Sequence, residues 1–286
     1  MSDQRNSDRA IFRAACVQMR SGIDRRRNTD DALRLIGEAA DKGAHFIATP
    51  EMTNAVDKNP ARLAASLPAG EVIEEIAAFS AAAAEYGVWL LIGSMAVNPG
   101  DGRLANRSYF FSPDGEIAAR YDKIHMFDVN LDNGESWRES RVYAPGSESV
   151  VIATPLASFG LSVCYDLRFP HLYRALSRAG AEILCVPAAF TRQTGRAHWK
   201  TLLAARAIEC GAFVVAAAQG GVHEDGRETF GHSMIISPWG EVLAEAHGDE
   251  PGVILADIDP ARVAKARNQI PNLALESSFK VINLEA

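Results

Sequence analysis

"SPDGEIAA", residues 112–119, returns as "SPWGEVLA" at residues 237–244. Both octets read Ser-Pro-x-Gly-Glu-aliphatic-x-Ala, and Pro-x-Gly is turn chemistry: proline pre-sets one backbone angle and glycine supplies the left-handed geometry of a tight reversal. Such turns are common, so the echo decides little until its surroundings are read. Ahead of the first copy, "IFRAACVQM" (11–19), "AHFIATP" (44–50) and "VWLLIGSMAV" (88–97) read as strands. Between them "NTDDALRLIGEAADKG" (28–43) and "EVIEEIAAFSAAAAEYG" (71–87) carry helical spacing, with Ala32, Leu35, Ile36 and Ala39 on one face and glycine at each end. "RSYFFS" and "EIAARYD" then flank the turn as a hairpin. Ahead of the second copy the order repeats. "VVIATPL" (150–156) and "GLSVCYD" (160–166) are strands, "PHLYRALSRAG" (170–180) a helix, "EILCVPAA" (182–189) a strand, "RAHWKTLLAARAIECG" (196–211) a helix and "AFVVAAAQ" (212–219) a strand. Two pseudo-equivalent halves, each supplying one sheet whose strands are apolar on both faces, predict an α/β fold: a four-layer αββα sandwich. With no low-complexity segment or linker in the sequence, residues 11–286 read as one domain behind a loose tail over residues 1–10.

Composition bounds the function. The chain has 286 residues, 48% hydrophobic and 23% charged, which suits a soluble globular protein with a large core. A formal net charge of −7 argues against sequence-independent binding to nucleic acid or an anionic membrane, both of which need clustered positive charge. The one basic run, Arg25 to Arg27, reads as a solvated face before a helix. The polar start "MSDQRNSDRA" does not read as a signal peptide, and no apolar run reaches membrane-spanning length, so the expected compartment is cytoplasmic. Four cysteines without close spacing, Cys16, Cys164, Cys185 and Cys210, fit reduced thiols.

Cys164 stands out among them. "SVCYDLRFP" (162–170) places it where a strand gives way to a helix, on a turn whose approaching helix N-terminus favours a thiolate. By position alone it reads equally as a small buried hydrophobe. Two charged residues sit in comparable places: Glu51 after the apolar strand of "FIATPEMTN", and Lys123 where "ARYDKIHMFD" leaves a hairpin for a long irregular stretch to Gly146. An acid, an ammonium and a thiol at strand ends are the ingredients of acyl transfer: the carboxylate takes the thiol proton, the thiol attacks a carbonyl, and the ammonium stabilises the oxyanion. A papain-like pair of Cys164 with His125 is the rival arrangement. Paired metal-ligand spacings, the serine-hydrolase elbow and phosphate-binding glycine motifs do not occur in the sequence, so no metal and no cofactor is expected.

"TPEM", "YDKIHMFD" and "SVCYDLRFP", in this order, resemble the glutamate, lysine and cysteine motifs of the nitrilase superfamily of carbon–nitrogen hydrolases, and the resemblance runs from about Ile11 to Asp259. It implies the αββα sandwich, a homodimer or higher homo-oligomer, and Glu51 as general base, Lys123 as oxyanion stabiliser and Cys164 as nucleophile. It also implies a second glutamate, Glu139 in "WRESRVYAPG", positioning the lysine, and the Tyr165 N–H as second oxyanion donor. Thr49 departs from the family pattern, in which an aromatic or aliphatic residue often precedes Pro-Glu. "AHWKTLLAARAIECGAFVVAAAQGGVH" and "FGHSMIISPWGEVLA" look most like the Nit branch, and within it like deaminated glutathione amidases. ω-Amidases share "CYDLRFP" but differ more around "AAAQGG". N-Carbamoyl amide and nitrile hydrolysis are further possibilities on this fold, as is a non-catalytic binding module. The implied partner is a small amide substrate on an acidic acyl chain. Its carboxylate calls for a guanidinium, for which Arg192 in "PAAFTRQTG" is the candidate beside Phe190. Asp166 and Arg168 are expected to pair and brace the cysteine turn. The loop "GGVHEDGRETFG" (220–231) is a candidate rim, and His232, Trp199 and Leu203 read as structural.

Overall fold

The computed structural model describes residues 9–285 except 101, 133 and 135; the tail expected over residues 1–10 lies, up to residue 8, outside the described residues. Two six-stranded mixed sheets hold the chain together. In the first, β1 (Phe12–Gln18), β2 (Phe46–Ala48) and β3 (Trp89–Val97) run parallel, and β4 (Ala105–Phe111) and β5 (Ile117–Asp122) continue from β3 as antiparallel strands. A short hairpin, β6 (Asp128–Asn130) and β7 (Ser136–Arg138), leads to a 3-10 turn at Glu139–Arg141. This replaces the irregular stretch expected after Lys123. The second sheet repeats the first: β8 (Val151–Ala153) lies antiparallel to β9 (Ser158–Leu161), which runs parallel with β10 (Ile183–Cys185) and β11 (Phe213–Ala216). A small hairpin, β12 (Gly220–Val222) with β13 (Glu228–Phe230), precedes the antiparallel β14 (Met234–Ile236) and β15 (Val242–Glu245).

The two echoing octets turn in the same way. Ser112 N bonds Glu116 O and Ser237 N bonds Glu241 O at 2.9 and 2.8 Å, and Gly115 and Gly240 take φ of 81° and 84°. The halves do not divide cleanly between the sheets, however. β16 (Gly252–Ile258), late in the chain, crosses back and pairs antiparallel with β1, occupying in the first sheet the place that β8 occupies in the second.

Strand alternation shows why four layers form. Phe12, Ala14 and Cys16 of β1 join one buried cluster with Phe159, Leu161 and Cys185 of the opposite sheet, while Ala15 and Val17 join another with Ala32, Leu35 and Ile36. The latter three belong to α1 (Arg25–Asp41), which packs with α3 (Ile73–Tyr86) outside the first sheet. On the other side α4 (Pro170–Arg178) and α5 (Arg192–Cys210) bury Tyr173, Leu176, Trp199 and Leu203 against the second sheet. Between the sheets Phe159 meets Phe46 and Phe110 at ring-centroid distances of 4.6 and 5.2 Å. Two shorter helices, α2 (Pro60–Ser66) and α6 (Ala261–Gln269), complete the chain. Arg25 departs from the solvated reading of the basic run: its guanidinium is spent on Glu75 of α3, which orders the start of α1 against its neighbour.

Candidate active site

Three strand ends converge on one cavity of about 480 Å³, and Glu51, Lys123, Glu139, Cys164, Tyr165 and Phe190 all line it. Glu51 leaves β2 by a turn held at several points. The Thr49 hydroxyl bonds that of Thr53 at 2.8 Å and accepts from Gly93 N at 3.0 Å, while Gln219 Nε2 donates to Glu51 O at 3.1 Å. Thr49 thus ties the turn through its hydroxyl, a contact an apolar residue there would not make. A Cβ on Gly93 would lie 2.1 Å from Thr49 O and 2.6 Å from Pro50 O, so only glycine lets β3 approach the glutamate turn this closely. Lys123 follows β5, its N–H bonded to Asn106 O at 3.0 Å. Cys164 begins a 3-10 turn, Cys164–Arg168, with φ of 49°, a left-handed angle that costs a side-chain-bearing residue about 1 kcal/mol or more. Asp166 holds that strain in place. Fully buried, it accepts from Val163 N at 2.8 Å, Tyr121 Oη at 2.6 Å and His125 N at 3.0 Å, fastening the cysteine turn to the chain beside Lys123.

The charges are arranged tightly. Lys123 Nζ donates to Glu51 Oε1 at 2.9 Å and to Glu139 Oε1 and Oε2 at 2.9 and 2.8 Å. Glu51 Oε2 accepts from Ala189 N at 2.9 Å, and Glu139 Oε2 from Phe127 N at 2.6 Å. Burial pushes Glu51 up, but the Lys123 charge and hydrogen bond, with smaller help from Cys164 and Arg227, hold its carboxyl below the ordinary range. Burial pulls Lys123 down; Glu139, Glu51 and Cys164 more than reverse this, and the ammonium stays charged. Burial and the Glu51 carboxylate push the Cys164 thiol well up, against a smaller downward pull from Lys123. This corrects the sequence-based picture of a thiolate poised at a helix N-terminus: the helix after Cys164 starts only at Pro170, and burial together with the Glu51 carboxylate favours the thiol. A carboxylate that faces a thiol can remove its proton as the sulfur attacks.

The remaining expectations divide. His125 is stacked on Phe169 at a centroid distance of 3.5 Å, with Nδ1 2.7 Å from Asp166 Oδ1, and does not line the cavity, so a Cys164–His125 pair does not form. Arg168 does not pair with Asp166. It lies over the Phe190 ring at 5.3 Å, lines the cavity and shares both terminal nitrogens with His198 Nδ1 at 3.3 Å. Arg192 is displaced from the role foreseen for it: at the start of α5 it pairs with Asp249 at 2.7 Å and Glu228 at 3.3 Å and does not line the cavity. Cys16, Cys185 and Cys210 are buried, with burial raising each thiol. His232 stacks on Phe230 at 4.3 Å, away from the cavity lining. Two residues went unread in the sequence. Asn106 Nδ2 bridges Glu51 at 3.0 Å and Glu139 at 3.3 Å, and Arg227, from the candidate rim loop, lines the cavity; a lone Asn in a strand and an Arg in a charged loop carry no local signal. Among the described residues no group of three or more His, Cys, Asp or Glu is placed to hold a metal ion, and no helix is long and apolar enough to cross a membrane.

Known proteins agree with this architecture. A family profile described as carbon-nitrogen hydrolase matches residues 13–268. A Synechocystis sp. protein named deaminated glutathione amidase is 39% identical over 266 residues, covering 92% of this chain and 97% of that protein. A Xenopus tropicalis protein named omega-amidase NIT2 is 38% identical, covering 92% and 94%. The solved structure of the C. elegans NitFhit protein superposes with a TM-score of 0.86 at 33% identity, covering 94% of this chain; the chain spans 65% of the length of that protein. Sequence, fold and relatives converge: the chain belongs to the carbon–nitrogen hydrolase family of the nitrilase superfamily.

Proposed function

We propose that this chain is a thiol amidase that hydrolyses non-peptide amide bonds in small acidic substrates, in the manner of a deaminated glutathione amidase, with residues 11–286 acting as one catalytic domain. The observation that carries the reading is the convergence of Glu51, Lys123 and Cys164 on one cavity, with the Glu51 carboxylate 2.9 Å from the Lys123 ammonium. As Cys164 Sγ attacks the amide carbon, its proton passes to Glu51 and the carbonyl oxygen becomes an oxyanion. Lys123 and the Tyr165 N–H stabilise that oxygen. Tyr165 is the second residue of its 3-10 turn, too early for its amide to find an i−3 carbonyl within the turn. Collapse breaks the carbon–nitrogen bond, and the departing nitrogen takes the proton from Glu51, leaving a thioester. Glu51 then takes a proton from water, which attacks the thioester; the acid departs and the thiol recovers its proton. Glu139 and Asn106 hold Lys123 and Glu51 in register and act as positioning residues. The ω-amidase name of the Xenopus relative, 38% identical, supports a second reading in which α-ketoglutaramate is the substrate. Four free cysteines fit the cytoplasm, and the family resemblance favours a homodimer or larger assembly.

The test is turnover of a panel containing deaminated glutathione, α-ketoglutaramate, an N-carbamoyl amino acid and a simple nitrile, with intact-mass detection of the acyl-enzyme. Preference for the first two amides, and no turnover or adduct in Cys164→Ala, are expected. Retained turnover in Cys164→Ala refutes the mechanism, and preference for the nitrile or the carbamoyl compound refutes the substrate assignment.

A further inference from the structure

We propose that Arg227 is the specificity-determining residue of the cavity: its guanidinium receives a carboxylate carried a short chain away from the scissile amide. Three guanidinium groups line the cavity. That of Arg138 is committed to Val129 O, Trp137 O and Asn130 Oδ1, at 3.0, 2.6 and 2.7 Å. Arg168 shares its terminal nitrogens with His198. Arg227 differs from both. Its Nη2 donates to Ala189 O at 3.1 Å and its Nε is buried without a hydrogen-bond partner, while, as for Arg138 and Arg168, no carboxylate lies within ion-pairing distance among the described residues. A half-buried guanidinium with part of its donor fork unused gains from an incoming anion.

The fork is also held in place. The turn between β12 and β13 is closed by His223 N to Arg227 O at 2.8 Å, and Asp225 accepts from both Arg227 N at 2.8 Å and Lys58 N at 2.7 Å. His223, driven down to about 4 chiefly by burial, stays neutral and bonds Ser21 O and Thr229 Oγ1, both at 2.7 Å, anchoring the base of the turn. The guanidinium lies over the Trp137 ring, 4.7 Å from its centroid, which fixes its plane. The neighbouring Glu228 would repel a substrate carboxylate, but Arg192 pairs with it at 3.3 Å, so the residue first suspected of binding the substrate instead neutralises the competing acid. Position sets the spacing. Arg227 Nη2 bonds the carbonyl of Ala189 while the N–H of the same residue bonds Glu51 Oε2 at 2.9 Å, so one residue separates the anion receptor from the general base. This fits a monoamide of a short dicarboxylic acid better than a long or neutral amide.

The inference rests on the amidase reading for its substrate but not for its ligand, and the test separates the two. Glutaramate carries the carboxylate and pentanamide is its neutral counterpart. A charge-assisted hydrogen-bond pair is worth about 10- to 10²-fold. In Arg227→Gln the ratio of kcat/KM for glutaramate over pentanamide is expected to fall by about that factor, mainly through KM, and Arg227→Lys, a point charge without the fork, to recover part of it. In parallel, calorimetric titration of glutarate, which needs no turnover, is expected to show binding to the intact wild-type protein that weakens by the same factor in Arg227→Gln. An unchanged ratio, an equal loss on both amides, equal glutarate affinity in the two proteins, or no glutarate binding to the wild type overturns the proposal. If neither amide is hydrolysed by the wild type, the amidase reading fails and the glutarate titration alone decides the role of Arg227.

Discussion

Replacing Lys123 with Met tests the electrostatic core of the site. The ammonium is almost entirely buried and contacts two carboxylates, Glu51 and Glu139, at 2.8 to 2.9 Å. Its loss leaves two buried acids facing one another, and breaking a buried ion pair from one side costs about 3 to 5 kcal/mol. At about 2 to 3 °C per kcal/mol for a chain of this size, Tm should fall by about 6 to 15 °C at pH 8. The pH dependence follows from the directions of the shifts. In the wild type Glu51 is held low, so its contribution is present above the unfolded carboxylate pKa and is lost as pH falls through the folded value. In Lys123→Met one of the facing acids is raised by its neighbour. Its folded form is not penalised below the unfolded pKa, about 4.3, and loses stability as pH rises through the folded value. The gap between the two proteins should therefore narrow steadily from pH 8 to pH 5, and Lys123→Met/Glu139→Gln should recover part of the loss at pH 8. Differential scanning calorimetry across that range reads the effect. A Tm gap that is constant with pH, or a variant as stable as the wild type, refutes the reasoning. Turnover should fall by about 10²- to 10³-fold, the loss typical of one oxyanion donor.

Two further outcomes follow from the same geometry. Because the Glu51 carboxylate and burial keep the Cys164 proton on sulfur, iodoacetamide at pH 7 should label Cys164 more slowly than free cysteine. Glu51→Gln, which removes the carboxylate and leaves Lys123, should label faster than the wild type while losing turnover; slower labelling would contradict the upward push of Glu51 on the thiol. The pH profile of kcat/KM should be flat from about pH 5 to pH 9, since Glu51 is shifted down and Lys123 up. An acid limb near pH 6.5 would instead implicate a histidine, and a loss in His125→Asn as severe as in Cys164→Ala would revive the pair that the stacking of His125 on Phe169 excludes here.

Much of the fold is written in local periodicity. Each of the two octet turns closes with its own serine and glycine, and the repeated order of strands and helices around them fixes the layers because every apolar strand must be covered on both faces. β16 escaped that reading because its partner β1 lies at the other end of the chain, and pairing between distant segments leaves no periodic mark on either. The motifs of the proposed triad were likewise legible as strings, since Glu51, Lys123 and Cys164 each end a strand in unusual company. Their charge state was not. The thiol rests protonated because Glu51 and burial outweigh Lys123, a balance of three elements that meet only in space.

What the sequence by itself determined is therefore the architecture and the family, both carried by patterns and strings within single segments. What only the tertiary structure decided is which of the loop arginines reaches the cavity, Arg227 and not Arg192. The sequence pointed to Arg192 and passed over Arg227, but the first is spent on Asp249 and Glu228 while the second keeps part of its donor fork unused. A guanidinium's availability depends on which carboxylates the fold brings within reach of it, and that is a property of folded space rather than of neighbours along the chain.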